Sequence, residues 1–225
     1  MYRYYADNLS AERLSRAYEV APSRVKQYLR AEIEHVLTRI RVTDRVVELG
    51  CGYGRVLGDL ARHGELIAGI DTSLASLMLA RRSEGLTRAK LVCMDAARTA
   101  FPDRTFDCVV CIQNGISAFH VDRRRLVLET VRIARGGGRV LFSTYSQAFW
   151  PDRLEWFRLQ AAAGLLGEID EERTGDGVIV CKDGFTATTV SADEFRYLTQ
   201  GLEAEVRLEE VDESSLFCEI VLPGT

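Results

Sequence analysis

Arg45-Val46-Val47-Glu48-Leu49-Gly50-Cys51-Gly52-Tyr53-Gly54-Arg55 is the stretch whose reading decides the fold. A short β-branched run ends in an acidic residue and passes through three alternate glycines. It then gives way to Val56-Leu57-Gly58-Asp59-Leu60-Ala61, which has helical spacing. That is a strand, a glycine-rich turn and a helix start. Without Cβ atoms the turn lets a ligand lie against the backbone, and the amides at the following helix start point at whatever binds. A second apolar run, Leu66-Ile67-Ala68-Gly69-Ile70, ends in Asp71. A carboxylate at the tip of the neighbouring parallel strand accepts hydrogen bonds from both hydroxyls of a ribose. The pair of features describes a cofactor that contains a nucleoside.

Spacing narrows the cofactor. A dinucleotide loop requires G-x-G-x-x-G, and its third glycine would fall on Arg55. The pattern present is E-x-G-x-G-x-G, with Glu48 two residues ahead of Gly50. It resembles motif I of the class I S-adenosylmethionine-dependent methyltransferases. The resemblance continues through Gly69-Ile70-Asp71-Thr72-Ser73, Val92-Cys93-Met94-Asp95-Ala96 and Phe106-Asp107-Cys108-Val109-Val110 to Arg132-Ile133-Ala134-Arg135-Gly136-Gly137-Gly138-Arg139-Val140-Leu141, over roughly Val42 to Tyr145. One departure is Gly136, where the family usually has proline; either residue ends a helix.

The resemblance implies an α/β, Rossmann-like fold. Its seven-stranded, mostly parallel sheet has helices on both faces and an antiparallel last strand. Strands are expected at 45–49, 66–70, 90–94, 106–112 and 138–144, with helices at 54–63, 73–82 and 122–135 between them. Such alternation gives a parallel sheet whose ligands bind beyond the carboxyl ends of its strands. Residues 1–41 read as a helical cap on a binding domain at 42–225. Ser10-Ala11-Glu12-Arg13 has a capping shape, and Val25, Tyr28, Leu29, Ile33, Val36, Leu37 and Ile40 follow helical spacing. The segment 146–190 breaks the rhythm with an aromatic helix and a hairpin turning at Lys182-Asp183-Gly184, and is expected to form a lid over the acceptor. A helix near 192–200 and strands at 204–211 and 215–222 complete the chain.

Composition narrows the partners. In 225 residues, Lys plus Arg number 29 and Asp plus Glu 33, for a net charge of −4, which disfavours nucleic acid. The run Arg123-Arg124-Arg125 reads as a solvated helix start. No apolar run approaches the ~20 residues that span a bilayer, so the expectation is a soluble cytoplasmic protein without a membrane partner. The six cysteines read as reduced core residues. Cys108 and Cys111 are three apart in a strand, which places them on opposite faces and argues against metal or redox use.

Candidate site residues come from the resemblance, and several have a plain structural reading beside the functional one. Gly50, Cys51, Gly52, Tyr53 and Gly54 form the cofactor loop, and Asp71 with Thr72 takes the ribose. Glu48 holds the methionine end or orders the loop, against a simple helix-dipole role. Asp95 and Ala96 contact the adenine, or Asp95 caps the next helix. Gln113 and Asn114 end the fourth strand, where the transferring methyl would lie. His120 is a base or a loop residue bonded locally. Tyr2, Tyr4, Tyr5 and Tyr18 crowd the N-terminal arm, and either pack it or lend Tyr5, Tyr18, Arg24 and Tyr28 to an acceptor pocket. No Asp/Asn-Pro-Pro-aromatic motif, no Pro-Cys pair and no magnesium-binding acidic set follows the fourth strand. The expected activity is therefore methyl transfer to N, O or S of a small molecule. Acceptors of RNA or protein, a non-catalytic binding module and an aminopropyltransferase are the alternatives, in falling order.

Overall fold

The computed structural model describes Tyr4 and residues 9–224. Tyr2 and Tyr5 lie outside the described residues, so the acceptor role expected of Tyr5 has no structural counterpart here.

Two helices come first, α1 (Ala11–Glu19) and α2 (Ser23–Leu37). The alternating unit then runs β1 (Arg45–Leu49), α3 (Arg55–Leu60), β2 (Leu66–Asp71), α4 (Leu74–Ala80), β3 (Lys90–Cys93), β4 (Phe106–Cys111), α5 (Gly115–Ala118), α6 (Arg123–Ile133) and β5 (Ala134–Tyr145). After it come α7 (Trp150–Ala162), the small hairpin β6 (Ile179–Val180) and β7 (Thr186–Ala187), α8 (Ala192–Thr199), β8 (Glu205–Val211) and β9 (Ser215–Val221).

Seven strands form one sheet in the order β3-β2-β1-β4-β5-β9-β8. All pairs from β3 to β5 are parallel, and β9 runs antiparallel to both β5 and β8. The central strands are apolar without alternation because both faces are covered: β4 is buried at every position. Cys108 packs on one face with Val46, Leu141 and Ile33 of α2, and Cys111 on the other with Val47, Leu126 of α6 and Phe195 of α8. The offset of three therefore does divide the two thiols between faces. Five of the six cysteines are buried; Cys93 is exposed, which departs from the core reading.

A third apolar cluster stands apart from the sheet. It joins Val25, Tyr28 and Leu29 of α2 to Trp156 and Phe157 of α7, and to Leu165, Ile179 and Phe185. The N-terminal helices and the 146–190 segment thus share one core, with α2 spanning from it to the sheet through Ile33 and Val36.

Three local expectations change. Ser10 makes no side-chain cap to α1; instead the Ala11 amide donates to Ser76 Oγ of α4 at 2.9 Å, tying the arm beside the glycine loop. The arginine run is not simply solvated. Arg123 pairs with Glu194 at 2.5 Å and donates to Thr188 Oγ1 at 2.8 Å, while Arg124 donates to the Leu198 and Gln200 carbonyls, so the two fasten α8 to α6. The short helix α5 was not foreseen. Asp122 does cap α6 by accepting from the Arg125 amide at 2.7 Å. Among the described residues no helix is long and apolar enough to cross a membrane.

Candidate active site

The parallel register brings the carboxyl ends of the strands level: Glu48 lies opposite Gly69 of β2 and Val110 of β4, and Asp71 opposite Cys93 of β3. Above them opens a cavity of about 230 Å³. Its floor contains Glu48, Gly50, Gly52, Asp71, Thr72, Asp95 and Ala96, and its far end Gln113, Asn114, His120 and Tyr18.

The glycine loop works through shape. Gly50, Gly52 and Gly54 have φ of +75°, +53° and +88°, a conformation that L side chains adopt rarely. A Cβ on Gly50 would fall 2.5 Å from the Phe119 ring, and one on Gly54 would collide with Leu86. The loop's amides are largely committed inside the fold: Gly50 and Cys51 both donate to the Ile70 carbonyl, at 2.8 and 2.9 Å, and Gly52 donates to Asp71 Oδ2 at 2.9 Å. Cys51, Tyr53 and Gly54 also stand outside the cavity wall; Cys51 is buried against Gly69, and Tyr53 faces Tyr18 across 6.2 Å between ring centres.

Asp71 is held from two sides, Oδ1 accepting from the Ser73 amide at 2.7 Å and Oδ2 from Gly52. Burial holds its pKa above the ordinary carboxylate value, and those amides oppose the rise. Each oxygen keeps a lone pair for a further donor. Asp95 Oδ1 accepts from the Ala97 amide at 2.8 Å, a local cap that leaves its other oxygen toward the cavity wall it lines.

Glu48 is 5% exposed, and its Oε2 has no hydrogen-bond partner among the described residues. Burial pushes its pKa up to about 8, against the pull of Arg55. Arg55 does not reach it as an ion pair; its guanidinium lies over the Tyr18 ring, 4.6 Å from the centre.

Gln113 and Asn114 are consecutive non-glycine residues with φ of +55° and +62°. Such a turn costs free energy and persists only where the surroundings fix it. Here the Gln113 amide donates to Glu32 Oε2 at 3.0 Å and to Ser143 Oγ at 2.8 Å. Asn114 accepts from Thr144 Oγ1 at 2.8 Å and donates to the Thr188 carbonyl at 2.9 Å, which occupies both ends of its amide. Asn114 therefore braces β4 against the segment before α8 while also lining the cavity. His120 lines the cavity in an exposed, left-handed position (φ +51°), with its pKa lowered by partial burial and by Arg123.

Two of the expected acceptor residues are elsewhere. Arg24 pairs with Asp212 at 2.6 Å and covers Phe149, and the fully buried Tyr28 packs against Tyr145 and Phe149, so neither lines the cavity. The far wall is made instead by Tyr145, Trp156 and Phe157, with Tyr18, while Leu14 and Phe119 line the cavity beside Gly52 and Gly50. The aromatic spacing at 149–159 was the signal for two of these. Glu32 was missed as well. It is fully buried, with a pKa pushed to about 7 by burial, and it falls on the 25, 28/29, 32, 36 stripe of α2. A carboxylate at an apolar position of a helix was the available sign.

Residues 46–138 match a sequence family described as a methyltransferase domain. The chain is 32% identical over 158 residues to a malonyl-[acyl-carrier protein] O-methyltransferase of Marinomonas sp. (strain MWYL1), covering 66% of this chain and 56% of that one. It is 31% identical over 125 residues to a fatty-acid O-methyltransferase of Mycolicibacterium smegmatis, covering 54% and 43%. The chain thus spans about half the length of these curated relatives. A solved S-adenosylmethionine-dependent methyltransferase from Aquifex aeolicus shares the fold, with a TM-score of 0.63 at 15% identity over 95% of this chain and all of that one. With its sheet order and its glycine loop the chain has the fold of solved S-adenosylmethionine-dependent methyltransferases, and residues 46–138 carry the match to the methyltransferase-domain family.

Proposed function

We propose that the cavity carries methyl transfer from S-adenosylmethionine to a small-molecule acceptor. The observation that carries the reading is the unpartnered Oε2 of Glu48, set in a wall that also holds Asp71 and Asp95 and, among the described residues, no lysine or arginine. An orphaned buried carboxylate oxygen fits an ammonium group, and three acids without a cation fit a ligand with excess positive charge. When bound, the cofactor would supply a methyl on a sulfonium whose sulfur is able to keep the carbon–sulfur electron pair as a neutral thioether.

The chain's part is to bind and align. Glu48 would hold the amino acid end, Asp71 the ribose hydroxyls, and Asp95 and Ala96 the base. Gln113 stands where the two ligands would meet, and Asn114 fixes its turn. With a hydroxyl, thiol or amine acceptor, the methyl replaces one proton, which must leave the site. His120 would take it, since its lowered pKa keeps a ring nitrogen able to accept near neutrality. Positioning within a closed cavity supplies much of the rate in such in-line displacements. Residues 146–190 and the two N-terminal helices, sharing one apolar core, would act together as the acceptor cover.

A macromolecular acceptor has less support, because arginines that might have formed a basic face are engaged: Arg24 with Asp212, Arg30 with Glu34 and Arg123 with Glu194. Incubation with S-adenosylmethionine and a panel of small hydroxyl, thiol and amine compounds tests the proposal, with S-adenosylhomocysteine as the readout. Formation of S-adenosylhomocysteine with at least one compound supports it; transfer only to added RNA or protein overturns the small-molecule assignment.

A further inference from the structure

From the way cations are excluded from the far end of the cavity, we infer that the acceptor is an apolar molecule presenting a neutral oxygen nucleophile, and that carboxylates are rejected. The inference rests on the methyltransferase reading of the cavity. It separates this chain from the relatives whose names specify a malonyl or fatty-acid acceptor.

The far wall consists of the rings of Tyr18, Tyr145, Trp156 and Phe157. Trp156 spends its one donor on the Ala17 carbonyl, at 2.8 Å, and so offers only its apolar surface. Four arginines lie close by, and none of them lines the cavity. Arg153 is 1% exposed; it donates to the carbonyls of Gly177 and Ala187 and stacks 4.6 Å over the Tyr145 ring. Arg13 donates to the carbonyls of Gly164 and Leu165. Arg55 lies over the Tyr18 ring, outside the lining, with Nε and Nη2 buried and unpartnered, and Arg123 is paired with Glu194. The formal charges on the lining side are the carboxylates Asp71 and Asp95; Glu48, and Glu32 just beneath Gln113, are acids whose pKa burial raises to about 8 and about 7.

An anion entering here would lose its water and find no cationic side chain in the wall to replace it, while Asp71 and Asp95 add like charge. The donor placed to receive an acceptor oxygen is neutral: Gln113 Nε2 is buried without a partner, on the residue whose Oε1 faces Tyr18 Oη at 3.5 Å. An amide satisfies a hydroxyl or phenol oxygen but offsets only part of a carboxylate's desolvation. In the transfer itself the acceptor oxygen bonds the methyl carbon and the carbon–sulfur bond breaks toward sulfur. The hydroxyl proton leaves to His120.

The test uses matched probes on the whole chain. Binding of S-adenosylhomocysteine is measured first by calorimetry; then 2-naphthol and 2-naphthoate are titrated at pH 7 into the saturated protein, followed by tryptophan fluorescence. The expected result is that 2-naphthol binds at least about ten-fold more tightly, equivalent to roughly 1.4 kcal/mol. Equal or tighter binding of 2-naphthoate to the unmodified chain, or no binding of either probe at millimolar concentration, overturns the inference. Absence of S-adenosylhomocysteine binding in the first titration would instead overturn the methyltransferase reading beneath it.

Discussion

The two ends of the cavity are made of different materials. The cofactor end is assembled from the tips of adjacent parallel strands, and the register that aligns Glu48, Asp71 and Asp95 is the register of the sheet itself. Its groups are charged, and backbone amides hold Asp71 and Asp95. The acceptor end is assembled from three distant segments, α1, the turn after β4 and α7. These meet through rings packed in a core of their own. One end is fixed by the sheet register and by amides that hold its carboxylates. The other depends on side-chain volume, which can change without disturbing the sheet.

The sharpest way to break the comparison is to remove a group from the charged end. Asp71→Ala deletes an acceptor of charge-assisted hydrogen bonds, each worth about 1.5–3 kcal/mol. Affinity for S-adenosylmethionine is expected to fall at least about 100-fold, with far-ultraviolet dichroism unchanged; calorimetry with undiminished affinity would contradict the assignment. The converse change is Trp156→Leu. Acceptor KM should rise about ten-fold while cofactor Kd moves by less than about two-fold, in keeping with loss of packing area alone. A parallel loss of cofactor affinity would mean that the two ends are not separable.

The buried acids give a pH test. The folded values of Glu48 and Glu32, about 8 and about 7, lie above their unfolded value of 4.5. The folded state therefore binds more protons than the unfolded state between those limits. The stability these groups contribute is fully present below about pH 4.5 and is lost as pH rises through 7 to 8, with a slope of up to ~1.4 kcal/mol per unit for each group. The Tm of the ligand-free chain should accordingly fall between pH 5 and pH 8, and Glu48→Gln should flatten the curve. Bound cofactor, by placing positive charge against Glu48, should also flatten it and release protons near neutrality.

The smallest effect is expected far from both ends. Arg124→Gln removes donors to the Leu198 and Gln200 carbonyls between α6 and α8. It should lower stability by about 1 kcal/mol in urea unfolding without altering either ligand's affinity.

The same contrast explains what could be read from the residues alone. The strand β1 and the candidates at strand tips follow from local signals: β-branched runs, glycine spacing and an acidic residue at each tip. The helix α7 and the Asp-Gly hairpin were also visible, because each has its own periodicity or turn chemistry. What was not visible depends on contacts between segments far apart in the chain. Arg24 and Tyr28 have the residue types of a binding site, yet the salt bridge to Asp212 and the ring stack with Tyr145 turn them elsewhere. Asn114 has the chemistry of a catalytic amide, but Thr144 and Thr188 take both of its ends. Glu32 was hidden by the opposite error, since a carboxylate in a helix is usually solvated, and only the Gln113 amide and Ser143 reveal why it is buried.

The central claim is that the cavity above Glu48, Gly50 and Asp71 takes S-adenosylmethionine, and calorimetric titration with S-adenosylmethionine, S-adenosylhomocysteine and NAD in parallel tests it most directly. The account predicts micromolar binding of the first two, abolished by Asp71→Ala, and none of NAD. Binding of NAD, or failure of both methionine-derived ligands to bind, would contradict it.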